Sequence, residues 1–264
     1  MTNILDIHHH IGPRDRLTGG SEDYDFDAAV EKHLRVMDQY GVERVNLIAS
    51  HNARIFGTED VRWLNAKVAG AVASRPDRFA SGTGTVDPGL GDIGLKEIEF
   101  GIKELGLKAM AWHSRFAGMP IDAPPLRRYV GYTAELGAPI LMHMMAESMF
   151  EASWRLAKVA KEFPNANIVA LDAFTSLLQT EWIMNVGGDI PNLSFELALL
   201  RSCGAFLEQF VAKWGAERLV FGSDYYDDSR VRAPAALFEL DSMELSDSDK
   251  QLILHGNATR ILGL

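Results

Sequence analysis

The sequence predicts an α/β protein, a single-domain (β/α)8 barrel of the TIM type spanning residues 1–264. Three observations carry that expectation. The length of 264 residues matches a fold that closes as one unit at about 250 residues. Short apolar runs alternate eight times with longer segments of helical period, which argues for a parallel sheet covered by helices. The first strand is not followed by the glycine fingerprint of an open dinucleotide-binding sheet, so a closed barrel is favoured.

In chain order, Asn3 to His8 reads as the first strand, and Asp25 to Tyr40 as a helix. That helix has apolar residues at three- and four-residue steps and Gly41 as its stop. Arg44 to Ala49 is the second strand and Glu59 to Ser74 its helix. Phe79 to Val86 and Gly89 to Leu105 form the third pair. Leu107 to Trp112 is the fourth strand, followed by a Gly/Pro-containing loop and a helix from Pro125 to Leu136. Pro139 to His143 is the fifth strand, and Glu147 to Phe163 its helix. Asn167 to Leu171, with Thr175 to Val186, is the sixth pair. Asn192 to Leu197, with Gly204 to Trp214, is the seventh. Arg218 to Phe221 is the eighth strand, and the chain from Val231 is helical. Trp63, Trp154, Trp182 and Trp214 fall in helices and read as core, while His33 and His255 read as bystanders.

The net charge of −10 disfavours nucleic acid and anionic membrane as partners, without excluding an anionic small molecule held by a local cationic pocket. Cys203 is the single cysteine, which rules out an intramolecular disulfide and reads as a buried thiol. The first twelve residues lack the basic and apolar regions of a signal peptide, and no apolar run approaches the roughly 20 residues of a membrane span. A cytoplasmic location is therefore expected. The partner expected is a small-molecule substrate, with association into a homo-oligomer left open.

In such a barrel the chemistry sits at the C-terminal ends of the strands. The first strand ends Asp6-Ile7-His8-His9-His10. If Leu5 and Ile7 face the outer helices, alternation points His8 and His10 into the lumen and His9 away from it. The fifth strand ends at His143, the sixth is followed by Asp172, the eighth leads to Asp224, and His113 follows the fourth. Imidazoles and carboxylates gathered at one mouth are the donor set of a first-row divalent ion. Without a cation the two carboxylates would repel. His8, His10, His143 and Asp224 together therefore indicate a metal site. Zn2+ is the first expectation and Mn2+ the alternative. Arg14, Arg16, Arg54 and Arg115 lie in loops after strands one, two and four, where a guanidinium can clamp a carboxylate of the substrate. His51 follows the second strand and is a weaker candidate at the same mouth.

Several segments carry a family resemblance. Asp6 to Gly12 (DIHHHIG) resembles the D-x-H-x-H-x-G opening of the amidohydrolase superfamily, in its amidohydrolase-related branch of aminocarboxymuconate-semialdehyde decarboxylase-like enzymes. Ser74 to Pro88, Leu136 to His143, Gly215 to Tyr225 and Gly256 to Leu264 (GNATRILGL) resemble that branch's third, fifth, eighth and closing segments. The resemblance implies metal ligation by His8, His10, His143 and Asp224. It also implies a metal-activated water, with Asp224 able to accept its proton. The chain departs from the pattern at Asp172, where a histidine is usual. It departs again at Ala111-Trp112-His113-Ser114, where K-x-H-P is usual, and at Tyr225-Tyr226, where Tyr-Pro is common. The expected function is a metal-dependent hydrolase acting on a lactone, ester or amide carbonyl, with Asp224, Asp172 and His113 as catalytic groups. The alternative is a non-oxidative decarboxylase of an unsaturated or aromatic acid, in which His113 or Asp172 moves a proton. A second alternative is a non-catalytic binding barrel.

Overall fold

Leu5–Ile11 forms β1, and everything about the site depends on how this strand pairs. The computed structural model describes residues 3–13, 24–50, 57–198, 204–227 and 234–264. After β1 come α1 (Phe26–Tyr40), β2 (Arg44–Ala49), α2 (Thr58–Ser74), β3 (Phe79–Gly84), α3 (Gly91–Lys103) and β4 (Ala109–Trp112). Then follow α4 (Ser114–Ala117), α5 (Pro124–Glu135), β5 (Ile140–His143), α6 (Ser153–Glu162), β6 (Ile168–Leu171) and α7 (Leu177–Asn185). The last elements are β7 (Leu193–Glu196), α8 (Gly204–Trp214), β8 (Leu219–Val220), β9 (Tyr225–Tyr226), α9 (Ala235–Ser242), α10 (Asp247–Gln251) and α11 (Asn257–Leu262).

The strands form one parallel sheet in the order β8-β7-β6-β5-β4-β3-β2-β1-β9. Where the sequence suggests one eighth strand, the structure has two short pieces, with Phe221 to Asp224 between them. The first piece pairs with β7 and the second with β1. Ile7 N–H also donates to Phe221 O at 3.1 Å. The interrupted segment is thus the seam where the sheet meets itself and the barrel closes.

Two apolar layers follow from the period-2 alternation of the strands. Val45, Leu47, Met110, Trp112, Ile140, Met142, Leu193 and Phe195 face the helices. Leu5, Ile7, Ile48, Ala111, Leu141, Val169, Leu171 and Val220 fill the lumen, where Ala258, Ile261 and Leu262 of α11 join them. That helix plugs one end of the barrel and leaves the other for chemistry. Asn257 fastens it, donating from Nδ2 to Ala216 O and Leu219 O, both at 2.8 Å.

Leu5 and Ile7 therefore point inward, the opposite of the premise drawn from simple alternation. His8 and His10 still face the lumen because β1 carries a bulge. Asp6 pairs with Val45 and His9 with Leu47, so three residues of β1 advance against two of β2. The extra residue lets Ile7 and His8 both turn inward. Asp6 and His9 then share the outer face, where His9 Nε2 lies 3.5 Å from Asp6 Oδ2.

Other expectations change as well. The helix expected from Glu147 begins only at Ser153, because Met145 N–H donates to Glu151 O and the intervening residues form a turn. Trp63 and Trp154 are 37% and 56% exposed rather than core, Trp154 lying in the first turn of α6 with Arg155 stacked over its ring. His33 is fully buried, and its Nδ1 lies 3.2 Å from His9 Nδ1, on the helix side of β1 and away from the lumen. Among the described residues, no helix is long and apolar enough to cross a membrane.

Candidate metal centre and active site

The lumen opens into a cavity of about 270 Å³ lined by His8, His10, His113, Arg115, His143, Asp172, Asp224 and the apolar or aromatic Phe116, Met144, Met145, Leu171 and Tyr226. Six of the residues singled out at strand ends thus share one wall system. Arg14, Arg16, His51, Arg54 and Cys203 lie outside the described residues.

His8, His10 and Asp224 form one compact group of possible ligands. His8 Nε2 and His10 Nε2 are 2.9 Å apart, and Asp224 Oδ1 lies 3.3 Å from the first and 3.4 Å from the second. Three donor atoms at that mutual spacing suit ligands sitting about 2.0–2.2 Å from a shared zinc-like ion. Imidazole nitrogen plus carboxylate oxygen is also the right chemistry for a first-row divalent ion, so these residues fit a divalent metal. Tyr226 stacks on His10, with ring centroids 4.1 Å apart. Burial alone would depress the His8 imidazole, but Glu196 and Asp224 outweigh it and raise its pKa to about 10.

His143 stands apart from that triad. Its Nε2 lies 3.1 Å from Asp172 Oδ2 and its Nδ1 lies 3.1 Å from Glu151 Oε2. Both ring nitrogens face carboxylates, and the ring stacks on His113 with centroids 3.7 Å apart. Burial works against the charged form, but Asp172 and Glu151 lift His143 to about 9. His113 takes the opposite course. Burial, with the charges of His143 and Arg115 added, brings it to about 4, although Glu151 Oε1 lies 2.5 Å from its Nδ1. Arg115 donates from Nη2 to His113 Nε2 at 3.2 Å, which fits a neutral ring protonated on Nδ1. One imidazole of the stacked pair is charged near neutrality and the other is not.

Asp172 and Asp224 are the two described non-glycine residues with positive φ, at 57° and 51°. Such a conformation costs on the order of 1–3 kcal/mol, and it clusters where chemistry needs a side chain re-aimed. Leu171 already faces the lumen, so plain alternation would send Asp172 outward. The left-handed turn brings it back onto His143. Asp172 is not the cap of the next helix, since Ser176 fills that role for α7.

Two buried carboxylates beside the site escaped the sequence reading. Glu151, in the turn before α6, holds both His113 and His143. Glu196, the last residue of β7, accepts from His8 Nδ1 at 3.2 Å, Asp172 N at 2.8 Å and Ala198 N at 2.7 Å. A titratable residue ending a strand was itself the signal for Glu196. Nothing comparable marked Glu151, which falls in a segment of helical period.

A closed parallel barrel with histidines and an aspartate at its mouth defines a class of enzyme that works at the strand ends. The family follows from the sequence itself: residues 5–264 match the Amidohydrolase family, and the chain belongs to it. No curated protein matches the chain by sequence. Among solved structures it is similar to 5-carboxyvanillate decarboxylase from Sphingomonas paucimobilis, with a TM-score of 0.77, 17% identity and all of both chains covered. It is similar to a 2,6-dihydroxybenzoate decarboxylase in complex with 2,6-dihydroxybenzoate, with a TM-score of 0.71, 18% identity, and 100% and 99% of the two chains covered. A third is a dihydroxybenzoic acid decarboxylase from Polaromonas sp. JS666 with bound manganese and the inhibitor 2-nitroresorcinol, with a TM-score of 0.73, 15% identity, and 100% and 98% covered. At these identities the likeness is one of fold.

Proposed function

We propose that this amidohydrolase is a metal-dependent, non-oxidative decarboxylase of a hydroxylated aromatic carboxylic acid. The observation that carries the reading is the pairing of two different walls across one cavity. On one side His8, His10 and Asp224 offer three closely spaced ligand atoms that could hold a cation. On the other, His143 is held charged between Asp172 and Glu151. The gap between them is walled in part by flat or apolar side chains, Phe116, Tyr226, Met144 and Leu171, which suit an aromatic ring. The three similar structures described above are named for decarboxylation of such acids, which favours this reading over the hydrolysis first expected.

His8, His10 and Asp224 would hold the divalent ion, and Mn2+ takes precedence over Zn2+ because a similar decarboxylase carries manganese. Bound there, the ion supplies positive charge for the oxygens of the substrate. The rest falls to the chain's own residues. Arg115, beside His113, is placed to receive a carboxylate or phenolate. The apolar walls keep water from the ring. When the carbon–carboxylate bond breaks, carbon dioxide leaves and the electron pair stays on the ring carbon. That carbon takes a proton from the His143–Asp172 pair, whose N···O distance is 3.1 Å, and the pair is recharged from solvent.

The test is a gas measurement. Protein loaded with Mn2+ and offered a panel of hydroxybenzoates should release one carbon dioxide per substrate consumed, with no release after chelation. His143→Gln should lower kcat by about 10²–10⁴-fold, the range of a positioned proton donor. Hydrolysis of esters or lactones without carbon dioxide release would restore the hydrolase reading. Loaded protein that turns over neither class would favour a binding barrel.

A further inference from the structure

We infer that Glu196 is a positioning residue of the metal centre: one buried carboxylate that fixes the His8 ring and the Asp172 turn at the same time. The inference rests on the reading that His8, His10 and Asp224 bind the ion. Glu196 is fully buried, and its two oxygens accept three donors. Oε1 takes Ala198 N–H, while Oε2 takes both Asp172 N–H and the Nδ1–H of His8. Because every polar contact is a donor, the ionised carboxylate is the form that fits.

Three consequences follow from that geometry. With Nδ1 committed to Glu196, His8 presents Nε2 to His10 and Asp224, the nitrogen a metal needs. A carboxylate behind a ligating imidazole fixes its tautomer and orientation and strengthens it as a donor. The hydrogen bond to Asp172 N supports the left-handed turn at φ 57° that aims Asp172 at His143. Both walls of the cavity are therefore referenced to one side chain. Glu196 could be mistaken for a ligand itself, since a donor atom of it lies within 4.8 Å of donor atoms of His8 and Asp172. Its oxygens are already taken by backbone N–H groups and by His8, which places it behind the ligands rather than among them.

The neighbouring residues are shaped around this carboxylate. A Cβ on Gly222 would lie 2.0 Å from Glu196 Oε1 and 2.7 Å from His8 Cβ. The seam of the barrel thus passes directly over the Glu196–His8 contact with only a hydrogen atom to spare.

The experiment is Mn2+ binding to the full chain, read by the electron paramagnetic signal of free ion, with melting of the metal-free protein alongside. Glu196→Gln keeps size and one acceptor oxygen. Its NH2 group must face either Ala198 N–H or the His8 and Asp172 donors. The expected result is a Kd for Mn2+ weakened about 10–100-fold, the usual effect of losing such a partner. Glu196→Asp keeps both oxygens on a shorter stem and should recover part of that loss, and it replaces the Gln variant should the latter not fold. A Kd within twofold of wild type in the folded variant overturns the inference while leaving the metal site intact. Wild-type protein that takes up no Mn2+ overturns the metal reading and this inference with it.

Discussion

His9 and His33 show what the barrel does with imidazoles it keeps away from metal. Both are buried on the helix side of β1, with ring centroids 5.0 Å apart and Tyr225 packed against each. Burial, and next the charge of Lys32, holds His33 down to about 3, and burial with His33 holds His9 well below its ordinary value. Between about 6.5 and 3 the unfolded chain binds a proton that folded His33 does not, so stability falls as pH falls through that window. Asp6, on the same face, is pushed up to about 7 by burial. It binds its proton in the folded state first and contributes the opposite slope between its unfolded value of 3.8 and 7. His33→Gln removes the acid-sensitive partner and leaves Asp6. The melting temperature of this variant should therefore fall less between pH 6.5 and 4 than that of wild type. An equal fall, measured by circular dichroism, would mean that His33 does not govern the acid limb.

At the scale of elements, the strand-end segments do most of the positioning, and glycine makes one of them possible. Gly222→Ala would force a methyl group against Glu196 and His8. The expected cost is about 1–3 kcal/mol of overpacking, together with weaker Mn2+ binding, read by denaturant titration and metal content. The same segments explain how far the sequence could be read. Apolar alternation and strand-end polarity pointed to His8, His10, His113, His143, Asp172 and Asp224, which line one cavity, because the strand period is local and a parallel barrel gathers its strand ends at one mouth. The bulge in β1 is not written in a pattern of apolar residues, so the correct faces for His8 and His10 came from an incorrect premise about Leu5 and Ile7. His143 is engaged by Asp172 and by Glu151, and only the first of these carboxylates was legible in the sequence. The burial of Glu151 is decided by tertiary contacts and not by the helical period around it.

At the scale of the whole molecule, the barrel has one plugged end and one reactive end, and the plug is held by side chain as much as by packing. Asn257 satisfies two carbonyls at the base of the eighth strand, while Phe221 N–H donates to Ile253 O. Asn257→Ala would take the side-chain donor from Leu219 O and leave Ala216 O with only the Leu219 N–H, at a cost of about 1–3 kcal/mol for the lost buried partner. A fall in melting temperature with unchanged Mn2+ affinity is expected, since the plug lies at the opposite end from the triad. Loss of metal affinity as well would show that the two ends communicate.

The interrupted eighth strand has one more consequence. The chain joins its last strand to its first through Phe221 to Asp224, and Asp224 is the carboxylate that meets His8 and His10 of that first strand. An ion shared by these three side chains would act as a clasp across the closure, tying together the segments where the circle of strands is thinnest. Ligand binding of this kind protects the folded form in proportion to ln(1 + [L]/Kd), and here the protection should concentrate locally. Amide hydrogens of Ile7, Tyr225 and Tyr226 should exchange with deuterium more slowly once Mn2+ is added, while those of β4 and β5, across the barrel, should be little changed. Loading the cofactor and finishing the architecture would then be a single event.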